Sequence, residues 1–103
     1  MRIGQLLKHI RINMGISQKE MADRLDISQN YLSLIESEKK RPSTEKLGDF
    51  ARALKISKEA LQLASAEVPK ELGDKDKRDF QKLQRNIVTL LLFELTGELE
   101  QHA

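Results

Sequence analysis

Cysteine is absent from the 103-residue chain, so neither a disulfide framework nor a thiolate metal site can form. That suits a reducing compartment. The two histidines, His9 and His102, stand far apart with no acidic or histidine partner at ligand spacing, so no metal site is expected. The five glycines are dispersed and build no phosphate-cradling loop. No nucleophile–base pairing can be found either, so neither catalysis nor a cofactor is expected. Long apolar runs are missing as well. The longest, Ile87 to Leu95, already includes Thr89 and Glu94, whereas a membrane span needs about 20 residues. From Met1 to Ser17 there is no continuous apolar segment, so no signal peptide is expected. A soluble, cytoplasmic chain is the expectation.

What is present is charge, unevenly spread. The net charge is +2. Residues 1–64 carry 12 Lys/Arg against 8 Asp/Glu, and residues 65–103 carry 6 against 8. A small basic excess is weak support for nucleic-acid binding, so the placement of the basic residues has to carry the argument.

Helical periodicity runs from the start, with no strand alternation. Ile3, Leu6, Leu7, Ile10 and Met14 form one apolar stripe, and Gly15 suits the left-handed residue that ends a helix. Ser17 and Glu20 make a capping box that opens a second helix to about Leu25. Ser28 opens a third, to about Ser37. Pro42-Ser43 stops the chain and starts a fourth, with Leu47, Phe50, Ala51 and Leu54 on one face. Ser57 opens a short fifth, to about Ala64. Residues 65–75, with Pro69 and Gly73 as breakers, read as a linker. A sixth, longer helix is expected from about Asp76 to Thr96, within a C-terminal segment of residues 76–103. The fold class is therefore all-α: a five-helix domain over residues 1–64 followed by one longer helix.

Between Gln18 and Glu36 the residue types fit two helices crossing at a tight turn. Ala22 is small where the helices approach, Asp26 falls in the turn, and Leu25 and Ile27 flank it. Leu32 and Ile35, three apart, would seat the third helix on the core. The stretch Ile16-Ser-Gln-Lys-Glu-Met-Ala-Asp-Arg-Leu-Asp-Ile-Ser-Gln-Asn-Tyr-Leu-Ser-Leu-Ile-Glu36 resembles the Cro and phage-repressor type of helix-turn-helix, the xenobiotic-response-element family with its lambda-repressor-like fold. The likeness runs from about Ile3 to Ala64 and includes the Arg-Pro-Ser-x-Glu-x-Leu opening of the fourth helix. It implies binding of double-stranded DNA at a dyad-symmetric operator, and transcriptional regulation in a bacterium, phage or mobile element. The family usually has glycine where this chain has Asp26 and Glu38. Aspartate tolerates the left-handed conformation. Glutamate is less comfortable there and adds a negative charge close to the expected phosphates, so a differently shaped loop is expected after the third helix.

Within this motif the second helix of the pair lies in the major groove. Gln29, Asn30 and Ser33 project within about 100° of each other, opposite Leu32 and Ile35, and are the expected base-contacting residues. Leu34 either touches a thymine methyl or shields the groove edge. Tyr31 reaches a phosphate or packs beside the core, with the phosphate preferred. Gln18 is expected on a phosphate, with the backbone N–H groups of its helix N-terminus. Lys39, Lys40 and Arg41 are expected to clamp the DNA backbone, with Ser37 and Ser43 as lesser candidates. Arg11 and Glu36 occupy positions that pair across the first and third helices in the family, and an internal ion pair is expected rather than base reading by Glu36. His9 is read as a surface residue.

Beyond the motif, Phe80, Leu83, Ile87, Leu91, Leu95 and Leu99 make one stripe, and Val88, Leu90, Leu92 and Phe93 widen it. A helix covered on one side needs only about a 100° stripe. The excess implies cover on two sides, and the expected second cover is the same helix of another subunit in a homodimer. The alternatives are that the helix folds wholly onto its own domain, or that it holds a different protein, as an antitoxin or anti-repressor would.

Overall fold

Serine hydroxyls start four of the helices. In the computed structural model, which describes residues 1–97, the helices are α1 (Ile3–Asn13), α2 (Gln18–Leu25), α3 (Gln29–Glu36), α4 (Thr44–Leu54), α5 (Lys58–Ala64) and α6 (Asp74–Thr96). No strand occurs among the described residues. Leu99 and His102 lie outside them. Ser17, Ser28, Ser43 and Ser57 are extended and accept hydrogen bonds from the N–H groups of Glu20, Tyr31, Lys46 and Ala60 at 3.0–3.1 Å. Each such cap contributes about 1 kcal/mol. Left-handed residues close the turns: Gly15 beyond α1, Asp26 after α2 and Lys55 after α4. Asp26 thus occupies the conformation for which glycine is usual.

The core is built from the inward stripes of all six helices. Leu6, Leu7 and Ile10 of α1 meet Met21, Leu32, Ile35, Phe50 and Leu61, all fully buried. Each buried side chain of this size contributes roughly 1.5–3 kcal/mol as an upper figure.

Helix α6 begins at Asp74, two residues earlier than the sequence suggests, with Gly73 as its N-cap and Asp74 and Asp76 in a first turn that favours negative charge. It packs on α5 and α1. Val88, Leu91 and Leu92 enter the core, with Ile87 and Leu95 packed partly against it. Leu91, expected on a face toward a second subunit, is 1% exposed within its own chain. That placing is corrected, because this side of the helix is taken up by the chain's own core. Phe80 is half-buried. The apolar residues left outside are Leu83, Leu90 and Phe93, at 48%, 57% and 43% exposure. One side of α6 is therefore covered by its own domain, and the other faces outward.

A glutamine fastens this joint. The Gln84 amide is buried and donates to the carbonyls of Leu63 at 3.0 Å and Ala66 at 2.7 Å, at and just beyond the end of α5. Gln84→Leu keeps the volume but leaves both carbonyls without that donor. It should cost roughly 1–3 kcal/mol, read as a lower urea midpoint at unchanged m-value. An unchanged midpoint would show that the amide fastens nothing.

Candidate nucleic-acid interface

The geometry starts at the turn between α2 and α3. The Ile27 N–H donates to the Ala22 carbonyl at 3.0 Å, closing α2 around the left-handed Asp26. Ala22 is buried at the crossing, and Leu25, Leu32 and Ile35 lie beneath it in the core. With Leu32 and Ile35 held inward, α3 turns Gln29, Asn30 and Ser33 outward, and all three are exposed. Leu34 is half-buried, and so is Tyr31, whose ring packs against the core.

Behind that face runs a connected set of polar contacts. Arg11 of α1 meets Glu36 of α3 through two bonds, Nε to Oε2 at 2.9 Å and Nη2 to Oε1 at 3.0 Å. The paired side chains are 16% and 5% exposed. Arg11 Nη1 also donates to the Ile16 carbonyl at 3.3 Å, tying in the segment before α2. Glu36 Oε1 accepts from Gln18 Nε2 at 3.3 Å, and Gln18 Oε1 accepts from Gln29 Nε2 at 3.5 Å. A line of side chains thus joins the buried ion pair to the outward face of α3. Sequence reasoning named each of these residues but not the link from Gln18 to both Glu36 and Gln29.

At the other end of α3, the Leu34 carbonyl accepts from the N–H groups of Lys39 and Lys40 at 2.9 and 3.1 Å. Lys39, Lys40 and Arg41 are exposed. The two serines beside them use their hydroxyls within the protein: Ser37 donates to the Leu34 carbonyl, and Ser43 caps α4. Glu38 between them is left-handed, with φ 64°. The backbone there keeps the conformation that glycine would take. His9 is a half-buried residue of α1 near Asn13.

Comparison with known proteins agrees with this arrangement. The helix-turn-helix family profile matches residues 7–61, so the chain belongs to the helix-turn-helix family of the Cro and phage-repressor type, a class of DNA-binding transcriptional regulators rather than of enzymes. An immunity repressor protein of Bacillus phage phi105 is 30% identical over 90 residues, covering 84% of this chain and 62% of the repressor. The ImmF control region 10 kDa protein of the same phage is 33% identical over 72 residues, covering 70% of this chain and 80% of that protein. An uncharacterized HTH-type transcriptional regulator, Rv0474 of Mycobacterium tuberculosis (strain ATCC 25618 / H37Rv), is 34% identical over 58 residues, covering 56% of this chain and 41% of the regulator. The matched stretch thus spans less than two thirds of both the repressor and the mycobacterial regulator. No solved structure matches. No helix among the described residues is long and apolar enough to cross a membrane.

The ion pair gives a direct test of how α3 is held. Glu36→Ala leaves the buried Arg11 guanidinium uncompensated and frees Gln18. It should lower stability by roughly 3 kcal/mol, measured by urea unfolding. A loss within about 0.5 kcal/mol, ordinary for a surface substitution, would show that the pair does not hold α3.

Proposed function

We propose that this protein is a repressor that binds a dyad-symmetric double-stranded operator as a homodimer, with α3 reading the major groove. The observation that carries this reading is the outward row Gln29, Asn30 and Ser33 on a helix whose opposite side is locked into the core. Asparagine and glutamine amides match the N6 and N7 edge of adenine bidentately. Gln18 at one end of this row, and Lys39, Lys40 and Arg41 at the other, supply phosphate contacts that orient the helix on the duplex. Ser37 and Ser43 have hydroxyls already engaged and contribute less. Tyr31, packed by its ring, contacts a phosphate only through its hydroxyl. The immunity repressor among the relatives supports repression rather than activation.

Physical bookkeeping favours two copies. A correct bidentate base contact discriminates by about 1–3 kcal/mol, and specific sites are separated from random DNA by about 4–10 kcal/mol. One eight-residue recognition helix offers too few contacts to reach that, whereas two helices about 34–36 Å apart on a palindrome double them. The outward side of α6 is suited to join the copies. The exposed Leu83 and Leu90, with the partly buried Phe80 and Ile87 along their edge, follow the 3-4-3 spacing of a coiled-coil seam, and Phe93 stands beside them. Leu91 and Leu95 act from behind it, through the core.

Base reading and backbone clamping separate by substitution. Gln29→Ala or Asn30→Ala should cost roughly 1–3 kcal/mol on the cognate operator and little on random duplex. Lys40→Ala should weaken both alike and make the slope of log affinity against log salt shallower by about one. Equal losses on both duplexes for the α3 variants would remove α3 from the groove.

Leu90→Glu places a charge on the exposed seam without touching the core. Sedimentation equilibrium should find the parent dimeric and the variant a folded monomer with far weaker operator binding. A dimeric variant would move the interface elsewhere. A monomeric parent that still binds its operator tightly would overturn the dimer and leave the seam to another protein.

A further inference from the structure

Glu38 carries a negative charge next to Lys39, Lys40 and Arg41, where a carboxylate should repel DNA, and it does so in a left-handed conformation that disfavours any residue with a Cβ. Its side chain explains both. The carboxylate turns back onto α1, where Oε1 accepts the Gln5 N–H at 3.0 Å. That N–H lies in the first helical turn, which has no intrahelical acceptors and favours negative charge. The approach is close. A Cβ on Gly4 would lie 2.0 Å from the Ile35 carbonyl oxygen and 2.5 Å from Glu38 Oε1, so only glycine lets the start of α1 sit against the end of α3. The loop is fixed at two points: Leu34 holds the Lys39 and Lys40 amides, and Gln5 holds Glu38. Arg2, Lys40 and Arg41 line one cleft of about 290 Å³ together with Glu38, Glu67, Ser65 and Ile3.

We propose that Glu38 is a positioning residue for DNA-backbone contact: it moors the loop to α1 so that Lys40 and Arg41 meet the phosphates from a fixed place. The inference rests on reading Lys39–Arg41 as the phosphate clamp. It runs against simple charge repulsion, which requires that removing the carboxylate tighten binding.

Two substitutions in the full chain separate mooring from charge. Glu38→Gly removes the carboxylate while the backbone keeps its left-handed turn without strain. Glu38→Gln removes the charge but keeps a side-chain oxygen able to accept the Gln5 N–H. Operator and random duplexes are titrated over a salt series, well below the thermal midpoint of each variant, with Lys40→Ala as reference. Glu38→Gly should weaken binding to both duplexes on the order of tenfold, with a salt slope shallower by about one. Glu38→Gln should keep the parental slope. If both variants bind more tightly and to the same degree, charge alone acts and mooring is overturned. An unchanged Glu38→Gly overturns it equally. If the parent binds no duplex, the reading of the protein as a DNA-binding repressor fails first. If the parent binds but Lys40→Ala keeps its slope, the clamp fails and takes the mooring with it.

Discussion

A carboxylate on the inner side of a short helix must find a partner there, since burying an unpaired charge costs several kcal/mol. Glu36 meets that condition through Arg11, and most of the interface geometry follows from it. The planar guanidinium offers two parallel donors, so the pair fixes both the distance and the rotation of α3 relative to α1. Oε1, already paired with Arg11 Nη2, also accepts from Gln18, and Gln18 meets Gln29. A strictly apolar contact at the same place would hold α3 as firmly, but it would leave the outward amides free to choose their rotamers. The net energy of such a pair is small or even unfavourable compared with well-packed hydrocarbon. Its value here is orientation.

The same economy appears in the helices themselves. Helices α2 and α3 have eight residues each, and isolated helices shorter than about 12–15 residues are marginal in water. Serine caps at their starts and a left-handed aspartate between them limit the ways the segments can begin and end. Packing of Met21, Leu25, Leu32 and Ile35 supplies the remaining stability. A helix so short can stay rigid only if both ends are tied to other elements. For α3, the Arg11–Glu36 pair and the approach of Gly4 to Ile35 tie its C-terminal end to α1, and the Gln18–Gln29 contact ties its N-terminal end to α2.

Much of this was legible in the chain. The serines before four of the helices, the alternation of inward and outward residues on α3, and the pairing of Arg11 with Glu36 are all local or motif-level signals, and all reappear in the fold. Three features were not legible, for definable reasons. A helix that is apolar around most of its circumference does not say which side its own domain covers, so the stripe points Leu91 outward although the chain's own core takes it in. Side-chain direction at Glu38 was hidden too. Its carboxylate accepts the Gln5 N–H, a contact across 33 positions that no spacing rule anticipates. Gln84 belongs with these. A glutamine in an amphipathic helix looks solvated until the end of α5 presents it with two carbonyls.

The inward packing of α6 also bears on modularity. Residues 1–64 look like a head to which different C-terminal segments could be joined, and the family match ends at residue 61. Yet Val88, Leu91 and Leu92 fill space that the head's own helices leave open, and Gln84 answers carbonyls at and beyond the end of α5. A recombination that replaced the C-terminal segment would inherit a head with an uncovered apolar face. The junction is therefore not a free cut point. Any successful graft has to bring a helix whose inner side reproduces Gln84, Val88, Leu91 and Leu92, while its outer side remains open to change.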